Sequence, residues 1–140
     1  MKRRDFLKTA TLAALLPVGA IAAEDENWTS YRPGVVDAAL KEGKTVFLDF
    51  HAVWCGTCKA QRRQMDKLLG ENPAYLEHVL FVNVDWDAYM NAAITFDLEI
   101  PRRSTLVVLK GDDELGRIIA GTKREDIKAL MDTALEAATS

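Results

Sequence analysis

Two cysteines, Cys55 and Cys58, are the only ones in the 140-residue chain, and only Gly56 and Thr57 lie between them. At this spacing the two sulfurs can meet in a disulfide if Gly56 opens a helix. Such a bridge closes almost no loop and hardly constrains the unfolded chain. Its value would then be chemical: a pair cycling between dithiol and disulfide. The alternative is an inert surface bridge. Trp54 before the pair, Lys59 after it and a nearly continuous apolar run just upstream favour reactivity, because C-x-x-C between a buried strand and a helix reads as a redox site.

The position of each cysteine predicts its role. Cys55 precedes the helix, where free backbone N–H groups and the positive dipole end favour a thiolate. It is the candidate nucleophile for a substrate disulfide. Cys58 lies one turn further in, more buried, and would resolve the mixed disulfide by attacking Cys55. Asp49, six residues before Cys55, stands inside an apolar strand. A buried carboxylate without a partner is costly and its pKa rises, which suits a group that takes the proton of Cys58. The other reading is an Asp at a strand edge, hydrogen-bonded to backbone. Two thiolates three apart can also hold a soft ion such as Cu(I). No methionine or histidine cluster completes a shell, and a closed zinc site takes four ligands, so no metal ligands are assigned. A third reading is an assembly factor that binds a partner without turnover.

Around these residues, the chain sorts into a leader and one domain. Lys2, Arg3 and Arg4 are followed by Asp5-Phe6-Leu7-Lys8 and a weakly apolar stretch to Ala23. The stretch is too short and too weakly apolar to span a membrane. A basic start, apolar middle and small-residue end describe a secretory signal peptide, with an uncleaved anchor as the alternative. The paired arginines resemble the twin-arginine export signal of bacteria. Ala20-Ile21-Ala22 predicts cleavage near Ala22/Ala23, giving a leader over 1–22, a domain over 23–140 and a periplasmic location, where disulfides persist. The remaining 118 residues carry 14 basic and 20 acidic side chains, a net charge near −6 that argues against nucleic acid as a partner.

Periodicity and turn residues then place the elements. Residues 23–33 read as an irregular lead-in anchored by Trp28 and Tyr31. A helix with Val35, Val36, Ala39 and Leu40 stops at Gly43. Residues 46–50 form a strand covered on both faces. The helix from Gly56 is expected to end near Leu69 at Gly70, with an inward stripe of Cys58, Gln61 or Arg62, Met65, Leu68 and Leu69. Asn72-Pro73 opens a short helix. Strands follow at 79–84, 105–109 and 114–120, with one helix at 88–98 between the first two and a turn at Gly111-Asp112-Asp113. Thr122 is expected to cap a last helix over 123–138. The order predicts an α/β fold: a central mixed sheet of about four strands flanked by helices.

The run Phe47-Leu48-Asp49-Phe50-x-Ala52-x-Trp54-Cys55-Gly56-x-Cys58-Lys59 resembles the active-site segment of thioredoxin-fold proteins, and the likeness extends over about residues 33–138. It implies a protein thiol–disulfide oxidoreductase with no dissolved cofactor, only the redox-active Cys55–Cys58 pair. It also implies that Asp49 is the proton acceptor and that Trp54, Gly56, Thr57, Arg103, Ser104 and Thr105 face the substrate. Implied partners are disulfide-containing exported proteins and a membrane thiol electron carrier that recharges a monomeric protein. A reductase is the favoured direction; an oxidant or isomerase would use the same residues.

The chain departs from the family at several points. Thr57 replaces the proline common in reducing thioredoxins and leaves the potential open. Phe81 stands where many relatives have a lysine near the buried acid, so Asp49 is expected to be more desolvated and shifted further upward. Ser104, before Thr105-Leu106, takes the place of the family's cis-proline; Ile100-Pro101 with an insertion is the other alignment. A cis bond at a non-proline residue would cost ~3 kcal/mol. The backbone at Arg103 is expected to pair with a substrate strand, and Arg102 and Arg103 either select acidic partners or form a solvated loop. His51 half-fills a pocket or tunes the thiolate, and His78 lies on a helix surface.

Overall fold

The computed structural model describes residues 26–140; the expected leader and its cleavage site lie outside the described residues. The elements run β1 (Thr29–Ser30), α1 (Val35–Lys41), β2 (Thr45–His51), α2 (Gly56–Glu71), α3 (Ala74–His78), β3 (Val79–Asp85), α4 (Trp86–Tyr89), α5 (Ala93–Asp97), β4 (Thr105–Lys110), β5 (Asp113–Ile119) and α6 (Arg124–Thr139). They form one mixed sheet in the order β1-β3-β2-β4-β5. β3 runs parallel to β1 and β2, whereas β4 is antiparallel to both β2 and β5. This is the expected α/β class with one strand more than foreseen. The extra strand is the two-residue β1 in the lead-in, where Thr29 and Ser30 pair with Val82 and Asn83.

Alternation along β2 decides which face of the sheet each side chain serves. Phe47 packs with Trp28, Phe81, Leu106, Met65, Leu68, Ile127 and Met131 beneath α2 and α6. Val46, Leu48 and Phe50 point the other way, to Tyr31, Val36, Val82, Val84 and Val107 beneath α1. Both faces of the central strand are therefore dry, which explains its unbroken apolar run. Asp49 shares parity with Phe47 and so faces the side that α2 covers.

Several boundaries differ from the sequence reading. α2 passes through Gly70 and stops at Glu71, because Asn72 is extended ahead of Pro73. The single helix expected over 88–98 is two short ones, broken at residues 90–92; Asp85 opens the first, its carboxylate accepting the Asp87 N–H at 3.1 Å. Lys123, not Thr122, stands at the start of α6 and makes no side-chain cap. Asn72 does serve α3, accepting the Ala74 N–H at 3.1 Å, and the buried Tyr75 donates its hydroxyl to Asp132 on α6. β5 and α6 approach closely at Gly116, where a Cβ would lie 2.8 Å from Leu130 Cδ1 and oblige that side chain to shift.

α6 closes the core on which the site rests, and Ile127 is its fully buried anchor. Ile127→Ala is expected to lower unfolding stability by ~3 kcal/mol, measured as a reduced denaturant midpoint at unchanged slope.

Candidate active site

The site forms where β2 ends and α2 begins. After His51 the chain turns through residues 52–54, with the Cys55 N–H donating to Ala52 O at 3.1 Å. Cys55 is the N-cap of α2, in extended conformation, and its sulfur accepts the Cys58 N–H at 3.2 Å. A sulfur thus takes the place of the oxygen that usually caps a helix. Val53 and Trp54 on the turn are largely exposed, whereas both cysteines are buried free thiols.

The loop before β4 meets them. Ser104 Oγ lies 3.2 Å from Cys55 Sγ and 3.0 Å from Cys58 Sγ. Ser104 therefore occupies the position facing the pair. Pro101 does not: it is exposed, three residues upstream. No cis peptide bond occurs among the described residues; Ser104 instead has a left-handed backbone, φ +64°. Its N–H donates to Phe50 O at 2.7 Å, and its carbonyl accepts the Ala120 N–H and the Gln61 side-chain amide, each at 2.9 Å. Gln61 also donates to Gly121 O at 2.9 Å. Three elements therefore hold a conformation that a non-glycine residue rarely adopts.

The two thiols are driven apart electrostatically. Burial pushes Cys55 up. Hydrogen bonds from the Cys58 side chain, the Ser104 hydroxyl, the Cys58 backbone and the Arg103 side chain outweigh it and bring Cys55 down to about 6. Burial raises Cys58; a backbone hydrogen bond with Ala52 opposes the rise without overcoming it. The geometry thus makes Cys55 the thiolate and keeps Cys58 a thiol.

Asp49 is fully buried, as its strand position required, but it is not alone. Arg62 of α2 donates to Asp49 Oδ2 through Nη2 at 2.7 Å and Nε at 3.2 Å, and the same Nη2 reaches Asn83 Oδ1 at 2.7 Å. This corrects the expectation of an uncompensated carboxylate: the cation comes from α2 rather than from the neighbouring strand, where Phe81 packs on Phe47. Arg62 stacks over Trp28 at 4.0 Å, and His51 Nδ1 lies 3.6 Å from Asp49 Oδ2. The sequence left Gln61 and Arg62 as alternatives for one inward position. Both turn inward, Gln61 to the loop carbonyls and Arg62 to the acid. Their only signal was spacing three and four residues after Cys58.

On the outer rim, the Trp54 indole N–H is shared by both Asp87 carboxylate oxygens, at 3.0 and 3.1 Å. The Arg103 guanidinium sits 4.5 Å above the Trp54 ring. Arg103 is thus half-buried against the site rather than part of a solvated loop, while the Arg102 Nε–H donates to the Arg103 carbonyl at 3.0 Å. Asp87 carried no sequence signal. Gly56 opens α2 with open space beside it, Thr57 follows on the same turn, and Thr105 starts β4 with its hydroxyl on Arg102 O at 2.7 Å. His78 ends α3 at the surface, near Glu77.

Two measurements check this geometry. Alkylation of the reduced protein by iodoacetamide should rise with pH around a midpoint near 6 and vanish in Cys55→Ser. Because the folded value lies below that of a free thiol, the unfolded chain binds more protons between about 6 and 8.5. The reduced protein should therefore gain stability as pH rises through that window and lose it as pH falls through 6; the oxidised protein should show no such gain. Separately, Arg62→Met strands the Asp49 charge and should cost ~3–5 kcal/mol. Adding Asp49→Leu should recover most of that loss in chemical denaturation.

Comparison with known proteins follows the same outline. The thioredoxin family model matches residues 28–133. Thioredoxin of Echinococcus granulosus is 32% identical over 96 residues, covering 69% of this chain and 83% of that one. Thioredoxin H2-1 of Oryza sativa subsp. japonica is 30% identical over 128 residues, covering 91% and 82%. The crystal structure of Trxlp from Edwardsiella tarda EIB202 superposes with a TM-score of 0.62 at 25% identity, covering 73% of this chain and 98% of that one. With its fold and its Cys55–Cys58 pair at the head of α2, the chain belongs to the thioredoxin family of protein thiol–disulfide oxidoreductases.

Proposed function

We propose that the protein is a reductase of disulfides in exported proteins, acting as a monomer in the periplasm after loss of residues 1–22. Cys55 attacks the substrate disulfide, Cys58 resolves the mixed disulfide, and Asp49, balanced by Arg62, accepts the proton that Cys58 gives up. The substrate chain lies across Trp54, Gly56, Thr57, Arg103, Ser104 and Thr105, pairing with the backbone at Arg103. The protein needs no dissolved cofactor. A membrane thiol electron carrier returns the disulfide to the dithiol, since the periplasm has no thiol buffer of its own. Its acidic surface offers nothing to nucleic acid.

One observation supports the reducing direction. A thiolate exists only in the reduced form, so the more it is stabilised, the more oxidising the pair becomes. Cys55 at about 6 lies nearer the value of about 7 in thioredoxin than the value of about 3.5 in a dedicated periplasmic oxidant. The support for export is the basic, paired-arginine start of the chain and its small-residue cleavage motif.

The equilibrium potential of the Cys55–Cys58 pair tests the direction. A value near that of thioredoxin, about −270 mV, is expected; a value near −120 mV would mean that the protein oxidises its partners. Cys58→Ser should accumulate mixed disulfides with exported proteins, seen as thiol-sensitive bands in the periplasmic fraction. An N-terminus at Ala23 in that fraction is expected, and retention of the full-length chain in the cytosol would overturn the location.

A further inference from the structure

Ser104 touches both reacting sulfurs, yet the scheme above gives its hydroxyl no task. Its backbone is fully engaged: the N–H by Phe50 O, and the carbonyl by Ala120 and Gln61. The hydroxyl is therefore the only part of the residue left to serve the site, at 3.2 Å from Cys55 Sγ and 3.0 Å from Cys58 Sγ. A hydroxyl has one proton to donate and two lone pairs, and it rotates. It can donate to one sulfur only, and the other sulfur must donate to it.

We propose that the Ser104 hydroxyl is a catalytic residue of the exchange, donating its single O–H hydrogen bond to whichever sulfur carries the negative charge. The proposal rests on the redox reading of the pair. In the resting dithiol the Ser104 O–H points to the Cys55 thiolate, and the single Cys58 S–H is shared between that thiolate and Ser104 Oγ. The Cys58 N–H, also 3.2 Å from Cys55 Sγ, is the second donor. With the side chains of Cys58 and Arg103 they form a cradle of donors for sulfur, as an oxyanion hole does for oxygen.

During turnover the donor changes sides. The Cys55 thiolate bonds to one substrate sulfur, and the substrate S–S bond breaks, its other sulfur departing with the electron pair. Cys55 is then neutral and no longer needs that hydrogen bond. Cys58 loses its own proton to the acceptor, and the Ser104 O–H turns to the new thiolate. Cys58 then bonds to Cys55 and expels the second substrate sulfur with its electron pair. Two electrons pass from protein to substrate, one proton leaves Cys58, and the product thiolates take up protons from solvent. When a reductant later opens the protein disulfide at the outer sulfur, the same hydroxyl stabilises Cys58 as the leaving group.

Ser104→Gly and Ser104→Ala both remove the hydroxyl, and only glycine accepts φ +64° without strain. The titratable groups close to Cys55 are Cys58 and Arg103; Arg62 and His51 both face Asp49, and all are unchanged in these variants. Thiolate absorbance and the rate of attack on oxidised glutathione are measured across pH. The Cys55 midpoint should rise by about one pH unit in both variants. Nucleophilicity rises with thiol pKa, so attack should be about twofold slower at pH 6 but about threefold faster above pH 8, and the profiles should cross. The glutathione mixed disulfide should also persist longer, because Cys58 loses its donor. Superimposed profiles, a loss uniform in pH, or a change in Ser104→Ala alone would each overturn the role. If the wild type attacks no disulfide, the redox reading fails, while the thiolate titration still decides whether the hydroxyl holds Cys55.

Discussion

The constraint on which the structure depends is the meeting of a helix N-terminus, at Cys55, with a loop 49 residues further along. α2 must begin where β2 ends so that Cys55 caps it with sulfur, and the loop before β4 must bring Ser104 against both thiols. Neither element specifies the other locally. The hydrogen bonds from Ser104 to Phe50, and from Gln61 and Ala120 to Ser104, join β2, α2 and the end of β5 into one frame. That frame explains how a serine persists in a left-handed conformation at the centre of the site: its backbone partners over-determine it.

The frame also separates two chemically identical groups. Cys55 and Cys58 differ only in what surrounds them. Cys55 receives donors, and the outcome is a thiol at about 6. Cys58 is buried one turn inside the helix, and the outcome is a raised thiol. An exchange reaction needs this asymmetry, since one sulfur must attack first and the other must wait. Asp49 of β2 is held by Arg62, which is itself stacked on Trp28 and bonded to Asn83. A charge buried within an apolar strand is tolerable because its countercharge arrives from the helix that packs on that face.

The fold was legible in the chain wherever local signals and tertiary packing agreed. The apolar runs at β2, β3 and β4, the turn at Gly111 and the stripe of Ile127, Leu130 and Met131 on α6 are such places. Errors fell where packing overrode local preference. Gly70 did not end α2, because the helix continues to the residue before the extended Asn72-Pro73 step. The two residues of β1 are too few to show a period and exist as a strand only because β3 offers an edge. The region 86–97 carries helical spacing, yet it breaks after one turn.

For the site, the chain by itself determined the reagents: two cysteines at the spacing of one helical turn, a tryptophan beside them and an acid in the strand before them. These are consequences of covalent order, and they suffice to name the chemistry. Tertiary structure alone decided which groups tune it. That Arg62 rather than a neighbouring strand balances Asp49, that Asp87 holds Trp54, and that Ser104 bridges the sulfurs are all contacts between residues far apart in sequence. No local pattern encodes them, because a side chain's direction across an interface depends on the packing of elements that come together only when the sheet closes.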